Sequence, residues 1–148
     1  SLKKPNLDQE REDTMAKIKH IAIRTPDPEA TAKFYKEVFG LEEAGVAGSG
    51  FYLTDGYLNL AILKSKDEGS EESPRDAAGY AGIDHLGFLV DDTDETCAKL
   101  DEAGATPMIG RVNVTPVHAD TAQSYYEIKY RGPDNQVIDI TTSGWVGN

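Results

Sequence analysis

The chain has 148 residues, 26 acidic against 15 basic side chains, a net charge of −11 and a pI near 4.6; that balance argues against a nucleic-acid backbone or an anionic membrane as partner. The length suits one compact domain with a sizeable core. A single cysteine, Cys97, excludes an intrachain disulfide, and no apolar run reaches the length of a membrane span, so a cytoplasmic protein is expected.

Residues 1–15 are charged and lack apolar periodicity, and read as a mobile N-terminal extension with Met15 a candidate natural start. Residues 16–148 then form a single domain containing an internal duplication. The stretch KIKHIAIRTPDPEATAKFYKEVFGLE from Lys17 returns in shorter form as IDHLGFLVDDTDETCAKLDEAGAT from Ile83. His20 and His85 lie 85 − 20 = 65 residues apart and Gly40 and Gly104 lie 104 − 40 = 64 apart, so the register holds through a strand and a helix.

In the first copy, period-2 alternation over Lys17–Arg24 puts Ile21 and Ile23 on one face and His20 and Ala22 on the other. Thr25-Pro26-Asp27-Pro28 ends the strand and opens a helix whose apolar positions Ala30, Phe34, Val38 and Leu41 should meet the greasy strand face. The histidine then faces away from the helix, with small neighbours leaving space before it. After the stop at Gly40, Glu43–Phe51 is a glycine-rich loop or twisted strand. Phe51–Thr54 and Leu58–Leu63 read as strands joined by the Asp55-Gly56 turn. This is one βαβββ module, about 16–63.

Residues 64–82 are polar and glycine-bearing, a linker long enough to serve as a flap. The second module, about 83–143, repeats the order: strand Asp84–Val90, helix Asp94–Ala103, an irregular Thr106–Ala122, strand Ser124–Tyr130, a turn at Gly132-Pro133-Asp134-Asn135, and strand Gln136–Thr142. Cys97 reads as a small core residue of the second helix. In the last strand Ile138 and Ile140 face the helix, which turns Asp139 and Thr141 toward the histidines. Tyr126, Ile128 and Tyr130 take the helix side of the preceding strand, which leaves Tyr125, Glu127 and Lys129 on the other. His118, ahead of that strand, is a candidate acid–base helper or a surface histidine. Trp145 lines the mouth of the site or a subunit contact. No phosphate-binding glycine loop, dinucleotide fingerprint or nucleophile elbow follows either opening strand.

The motif HIAIRTPDPEATAKFYKEVFGL, the duplicated unit and the closing RGPDNQVIDI resemble the vicinal oxygen chelate superfamily of glyoxalases, methylmalonyl-CoA epimerases, ring-cleaving dioxygenases and bleomycin-resistance proteins. The resemblance implies an α+β fold in which two βαβββ modules form one cup-shaped mixed sheet with helices outside, usually in a homodimer. It also implies a divalent metal in the cup, carried over onto His20, His85 and Asp139. Matching the apolar faces of the two final strands places Ala61 at the counterpart of Asp139, where such relatives carry Glu or Gln; Asn59 shares that face and offers an amide oxygen. Two imidazoles and one carboxylate with open positions favour Fe(II) or Mn(II), with Zn(II) or Ni(II) also accepted. The expected function is a metal-dependent enzyme on a small oxygen-chelating metabolite, of the extradiol dioxygenase type, with Glu127, His118 and Tyr125 as acid–base candidates. The alternatives are a glyoxalase- or epimerase-like lyase or isomerase, and a metal-free ligand-sequestering protein of the bleomycin-resistance kind.

Overall fold

A computed structural model describes residues 15–114 and 125–147. Eleven elements follow one another: β1 (Lys17–Thr25), α1 (Pro28–Phe39), β2 (Glu42–Ala47), β3 (Gly50–Thr54), β4 (Asn59–Lys64), a 3₁₀ turn (Pro74–Asp76), β5 (Gly82–Leu89), α2 (Thr93–Glu102), β6 (Thr106–Val114), β7 (Tyr125–Arg131) and β8 (Val137–Thr141). The strands form one eight-stranded mixed sheet in the order β2-β3-β4-β1-β5-β8-β7-β6. Each half repeats the other: β1 lies parallel to β4 as β5 lies parallel to β8, and the halves meet where β1 and β5 run antiparallel. The expected α+β arrangement of two βαβββ modules is therefore the one observed. Among the described residues no helix is long and apolar enough to cross a membrane.

The duplication extends to the helix caps. Asp27 accepts from the Ala30 amide at 3.1 Å and Asp92 from the Glu95 amide at 3.0 Å, satisfying one otherwise orphaned donor in each first turn. Gly40 ends α1 with φ 71°, and Gly104 beyond α2 has φ 85°, left-handed values that glycine adopts without steric cost.

The helix phase departs from the sequence reading. Ala32 is the buried residue of α1, packed with Leu53 and Ile62 and flanked by Ile23, Tyr35 and Leu41, whereas Phe34 and Val38 are 53% and 57% exposed. The roll is set at the N-terminus, where Thr31 Oγ1 bonds Thr25 Oγ1 at 2.8 Å and turns the Thr31–Tyr35 side inward. The small side chain of Ala32 then lets the helix sit close to the sheet. Leu53 and Ile62 are fully buried, and each contributes about 1.5–3 kcal/mol by leaving water.

One edge strand was hidden in the sequence, and the other was left open between loop and twisted strand. β6 occupies the first part of the stretch read as irregular, and β2 the glycine-rich stretch after α1. Their pairings slip at Pro107/Ile109, Ile109/Val112 and Glu43/Gly45, so neither shows clean alternation. The middle of the linker is bonded to the second module. Asp76, 6% exposed, accepts from Ser73 Oγ at 2.6 Å and pairs with Arg75 and Arg131, while Arg131 also meets Glu72 at 2.7 Å. These contacts tie the linker to β7.

Candidate metal centre

The site follows from strand register. His20 on β1 stands opposite Gly87 on β5, and Gly87 in turn stands opposite Asp139 on β8, so the three lie in one row across the sheet. His85 lies in the neighbouring row, opposite Ala22. The structure thus brings the three predicted ligands to one face: His20 Nε2 is 3.0 Å from His85 Nε2, and His85 Nε2 is 3.1 Å from Asp139 Oδ2. The three candidate ligand atoms all lie within 4.8 Å of one another. All three residues are buried, Asp139 completely.

The far nitrogen of each imidazole is fixed. Asn59 donates through Nδ2 to the Val146 carbonyl at 2.7 Å, which aims its Oδ1 at His20 Nδ1, 2.6 Å away. His20 Nδ1–H must therefore donate, and its Nε2 lone pair faces the site. The amide oxygen of Asn59 is thereby occupied in orienting His20. Behind the second histidine, His85 Nδ1–H donates to Asp84 Oδ2 at 2.6 Å. Alternation should have turned Asp84 to the opposite face. The β1–β5 register passes from Ala22↔His85 to Ile23↔Ile83, so Asp84 is the extra residue of a bulge and shares the side of its neighbour. Arg75 Nη2 at 2.9 Å and Arg24 Nε at 3.7 Å steady that carboxylate.

The two histidines consequently differ in charge preference. Burial, reinforced by the facing His85, drives the His20 pKa down to about 3, so it stays neutral. Burial by itself would also depress His85, but the Asp139 and Asp84 carboxylates outweigh it and raise its pKa. Burial likewise opposes ionisation of Asp139, yet the bond from His85 and the charge of Lys129 hold it down to about 2. Lys129 Nζ lies 2.5 Å from Asp139 Oδ1, while the buried Oδ2 meets His85 Nε2 at 3.1 Å.

This donor set fits a divalent cation. Two imidazole nitrogens and a carboxylate oxygen gathered on one buried face are donors of the kind a divalent cation takes. Two ligand atoms about 2.1 Å from one ion and about 90° apart are separated by about 3.0 Å. The 3.0 and 3.1 Å distances match that spacing. At the fourth corner Ala22↔Ala61 in the first module corresponds to Gly87↔Asp139 in the second, so Ala61 does stand at the counterpart of Asp139. It is 1% exposed and supplies no ligand.

The space before the histidines is filled by a residue whose place the sequence left open. Trp145 stacks on His20 with centroids 4.7 Å apart and planes within 4°, over Gly87, where an added Cβ would come within 2.7 Å of the indole. Its Nε1 donates to Glu127 Oε1 at 2.7 Å, and Lys129 Nζ stands 3.8 Å from Glu127 Oε2. Burial and the neighbouring Asp139 raise the Glu127 pKa. Of the other candidates, Tyr125 lies in β7 opposite Val114, its side chain outside what is described, and His118 falls outside the described residues altogether. On the opposite face Tyr130 donates to Asp101 of α2 at 3.0 Å, and Cys97 is half-buried. Asp84, Lys129 and Trp145 are site residues whose roles the sequence did not reveal; for Lys129 alone was the correct face readable.

The profile of the Glyoxalase/Bleomycin resistance protein/Dioxygenase superfamily matches residues 17–140. The structure is similar to that of the 2,3-dioxygenase LapB from Pseudomonas sp. KL28, with TM-score 0.63, 21% identity, and 89% of this chain covering 42% of that one. A Mn(II)-bound glyoxalase from Novosphingobium aromaticivorans aligns with TM-score 0.62 and 17% identity, over 88% of this chain and 40% of that chain. A methylmalonyl-CoA epimerase from Streptomyces coelicolor aligns with TM-score 0.58 and 19% identity, over 84% and 94% respectively. The chain thus spans less than half the length of the dioxygenase and glyoxalase chains it matches. A comparison with curated protein sequences finds no match.

Proposed function

Because this chain belongs to the glyoxalase/bleomycin resistance protein/dioxygenase superfamily, we propose that it is a metal-dependent enzyme of the vicinal oxygen chelate type, with His20, His85 and Asp139 holding a divalent ion. The substrate is a small metabolite that chelates through two neighbouring oxygens. The observation that carries this reading is the buried cluster of Asp139 Oδ2, 3.1 Å from His85 Nε2, and two imidazoles whose Nε2 atoms are 3.0 Å apart. When bound, the ion supplies Lewis-acid contact to the substrate oxygens and, as Fe(II) or Mn(II), redox chemistry with dioxygen. Asn59 and Asp84 keep both imidazoles in the ligating tautomer, and Trp145 excludes water from the His20 side. Glu127, its carboxyl made less acidic by burial and by Asp139, is the proton carrier nearest the proposed ligands.

Within that class the three-residue ligand set favours an extradiol-type dioxygenase, since Ala61 leaves open the position that oxygen and substrate need together. Glu127 favours a second reading, a glyoxalase- or epimerase-like proton transfer, by providing the carrier that Ala61 lacks. A cytoplasmic location, a homodimer, and Tyr125 and His118 as further acid–base groups belong to the same proposal. The deciding experiment loads metal-free protein anaerobically with Fe(II) or Mn(II), adds a panel of catechols and admits oxygen. Oxygen uptake with ring-cleavage absorbance, both abolished by Asp139→Ala, is the expected result. Turnover of a hemithioacetal or an epimerisable thioester with Ni(II) or Zn(II), without oxygen uptake, assigns the protein to the second reading. Equal metal content in the wild type and a His20→Ala, His85→Ala double variant overturns the metal site itself.

A further inference from the structure

Asp139 has two oxygens, and the structure treats them differently. Oδ1 is taken by Lys129 Nζ at 2.5 Å, whereas Oδ2 is turned toward the imidazoles, 3.1 Å from His85 Nε2. The asymmetry is built into the strands, because Lys129 and Asp139 are direct cross-strand partners on β7 and β8. Lys129 is 21% exposed at its side chain and also stands 3.8 Å from Glu127 Oε2, so it is held from two sides. A carboxylate with both oxygens free can grip a divalent ion with both. One whose second oxygen is engaged by an ammonium offers only one, and the ion then keeps an additional position for water or substrate.

We propose that Lys129 is a positioning residue that limits Asp139 to one-oxygen ligation, keeping a coordination position open at the cost of metal affinity. This rests on the ligand set proposed above and adds a residue that the ligand pattern does not contain. Two separate effects follow. The hydrogen bond to Oδ1 controls how many oxygens reach the ion, and the positive charge of Lys129 repels it. Ordinary compensation of a buried carboxylate would share the repulsion but would leave the number of water positions on the ion unchanged, so the water number separates the two roles.

The test uses full-length, metal-stripped protein titrated with Mn(II), following affinity by electron paramagnetic resonance and bound water by proton relaxation. Lys129→Met removes hydrogen bond and charge together, and Lys129→Gln removes the charge but retains a donor. Lys129→Met is expected to bind Mn(II) roughly tenfold more tightly, with fewer exchangeable waters and a larger rise in melting temperature on loading than the wild type. Lys129→Gln is expected to bind more tightly while keeping the wild-type water number, and carries the test if Lys129→Met fails to fold without metal. Unchanged or weaker Mn(II) binding in the variants, with the wild-type water number, overturns the proposal and leaves the ligand set standing. A wild type that takes up no Mn(II), or no more than the His20→Ala, His85→Ala double variant, overturns the ligand set and this proposal together.

Discussion

The two modules share strand order, caps and helix stops, yet they treat their histidines in opposite ways. In the first, a neutral amide fixed by a backbone carbonyl stands behind His20, whose pKa falls to about 3. In the second, a carboxylate flanked by Arg75 and Arg24 stands behind His85, whose pKa rises, and the site-facing position that is Ala61 in the first module is Asp139 in the second. The backbone repeats while the electrostatics diverge. Negative charge is concentrated on one side of the seam, so His20 is held neutral while the carboxylates beside His85 favour its charged form.

The largest expected effect comes from deleting each histidine in turn. His85→Ala leaves the Asp84 and Asp139 carboxylates without the group between them, and is expected to cost about 3–5 kcal/mol in the metal-free protein. His20→Ala removes a neutral buried ring and is expected to cost about 1–3 kcal/mol. Urea denaturation of both variants measures the gap; equal losses would mean that the modules are electrostatically alike.

Making the second module resemble the first is the next test. Asp84→Asn gives His85 an amide behind it, and metal affinity is expected to fall by about 10- to 100-fold by competition with a chelator. Histidine proton resonances of the metal-free protein follow the same change. In the wild type His85 should titrate above the ordinary histidine value and His20 only near pH 3. The linkage signs differ accordingly: His85 stabilises the fold below its unfolded value near pH 6.5 and that contribution is lost as pH rises through its folded value, whereas His20 costs stability as pH falls from about 6.5 toward 3. Asp84→Asn should lower the His85 midpoint; an unmoved midpoint would assign its charge preference to Asp139 alone.

The reverse change, Ala61→Asp, restores symmetry at the fourth corner. It is expected to tighten Mn(II) binding about tenfold and remove an exchangeable water, while destabilising the metal-free protein by adding a buried unpaired charge. Identical water numbers in variant and wild type would show that this corner does not face the ion. The smallest effect expected is from Trp145→Phe, which keeps a ring over His20 but removes the bond to Glu127. About 0.5–1.5 kcal/mol should be lost, and the Glu127 pKa should rise further because that bond favours its carboxylate. A Glu127 carboxyl resonance titrating as in the wild type would refute the second part.

The sequence made the shared face of His20, His85 and Asp139 legible because its signal is redundant. A repeat of 65 residues, alternation in three strands and apolar partners on the opposite face all turn His20, His85 and Asp139 the same way. What surrounds the triad was not legible, since it depends on departures from regularity. Asp84 faces His85 only through a bulge, and nothing in IDHLG marks where the register slips. Trp145 reaches His20 from beyond the last strand, a placement set by the open volume over Gly87. Lys129 could be assigned a face but not a partner. The roll of α1 was misread because Phe34 and Val38 are more apolar than Ala32, whereas packing required the smaller side chain.

The three proposed ligands also lie far apart along the chain, at positions 20, 85 and 139, and on both sides of the β1–β5 seam. An ion seated among them would act as a cross-link between distant points of the polypeptide, and the loops it closes can be drawn together only after both modules have docked. Such a link belongs to the finished structure and not to its nucleus, so it would retard unfolding far more than it would accelerate folding. The metal-loaded protein should therefore be distinguished chiefly by its lifetime in the native state, with the opening of the central seam as the step that releases the ion.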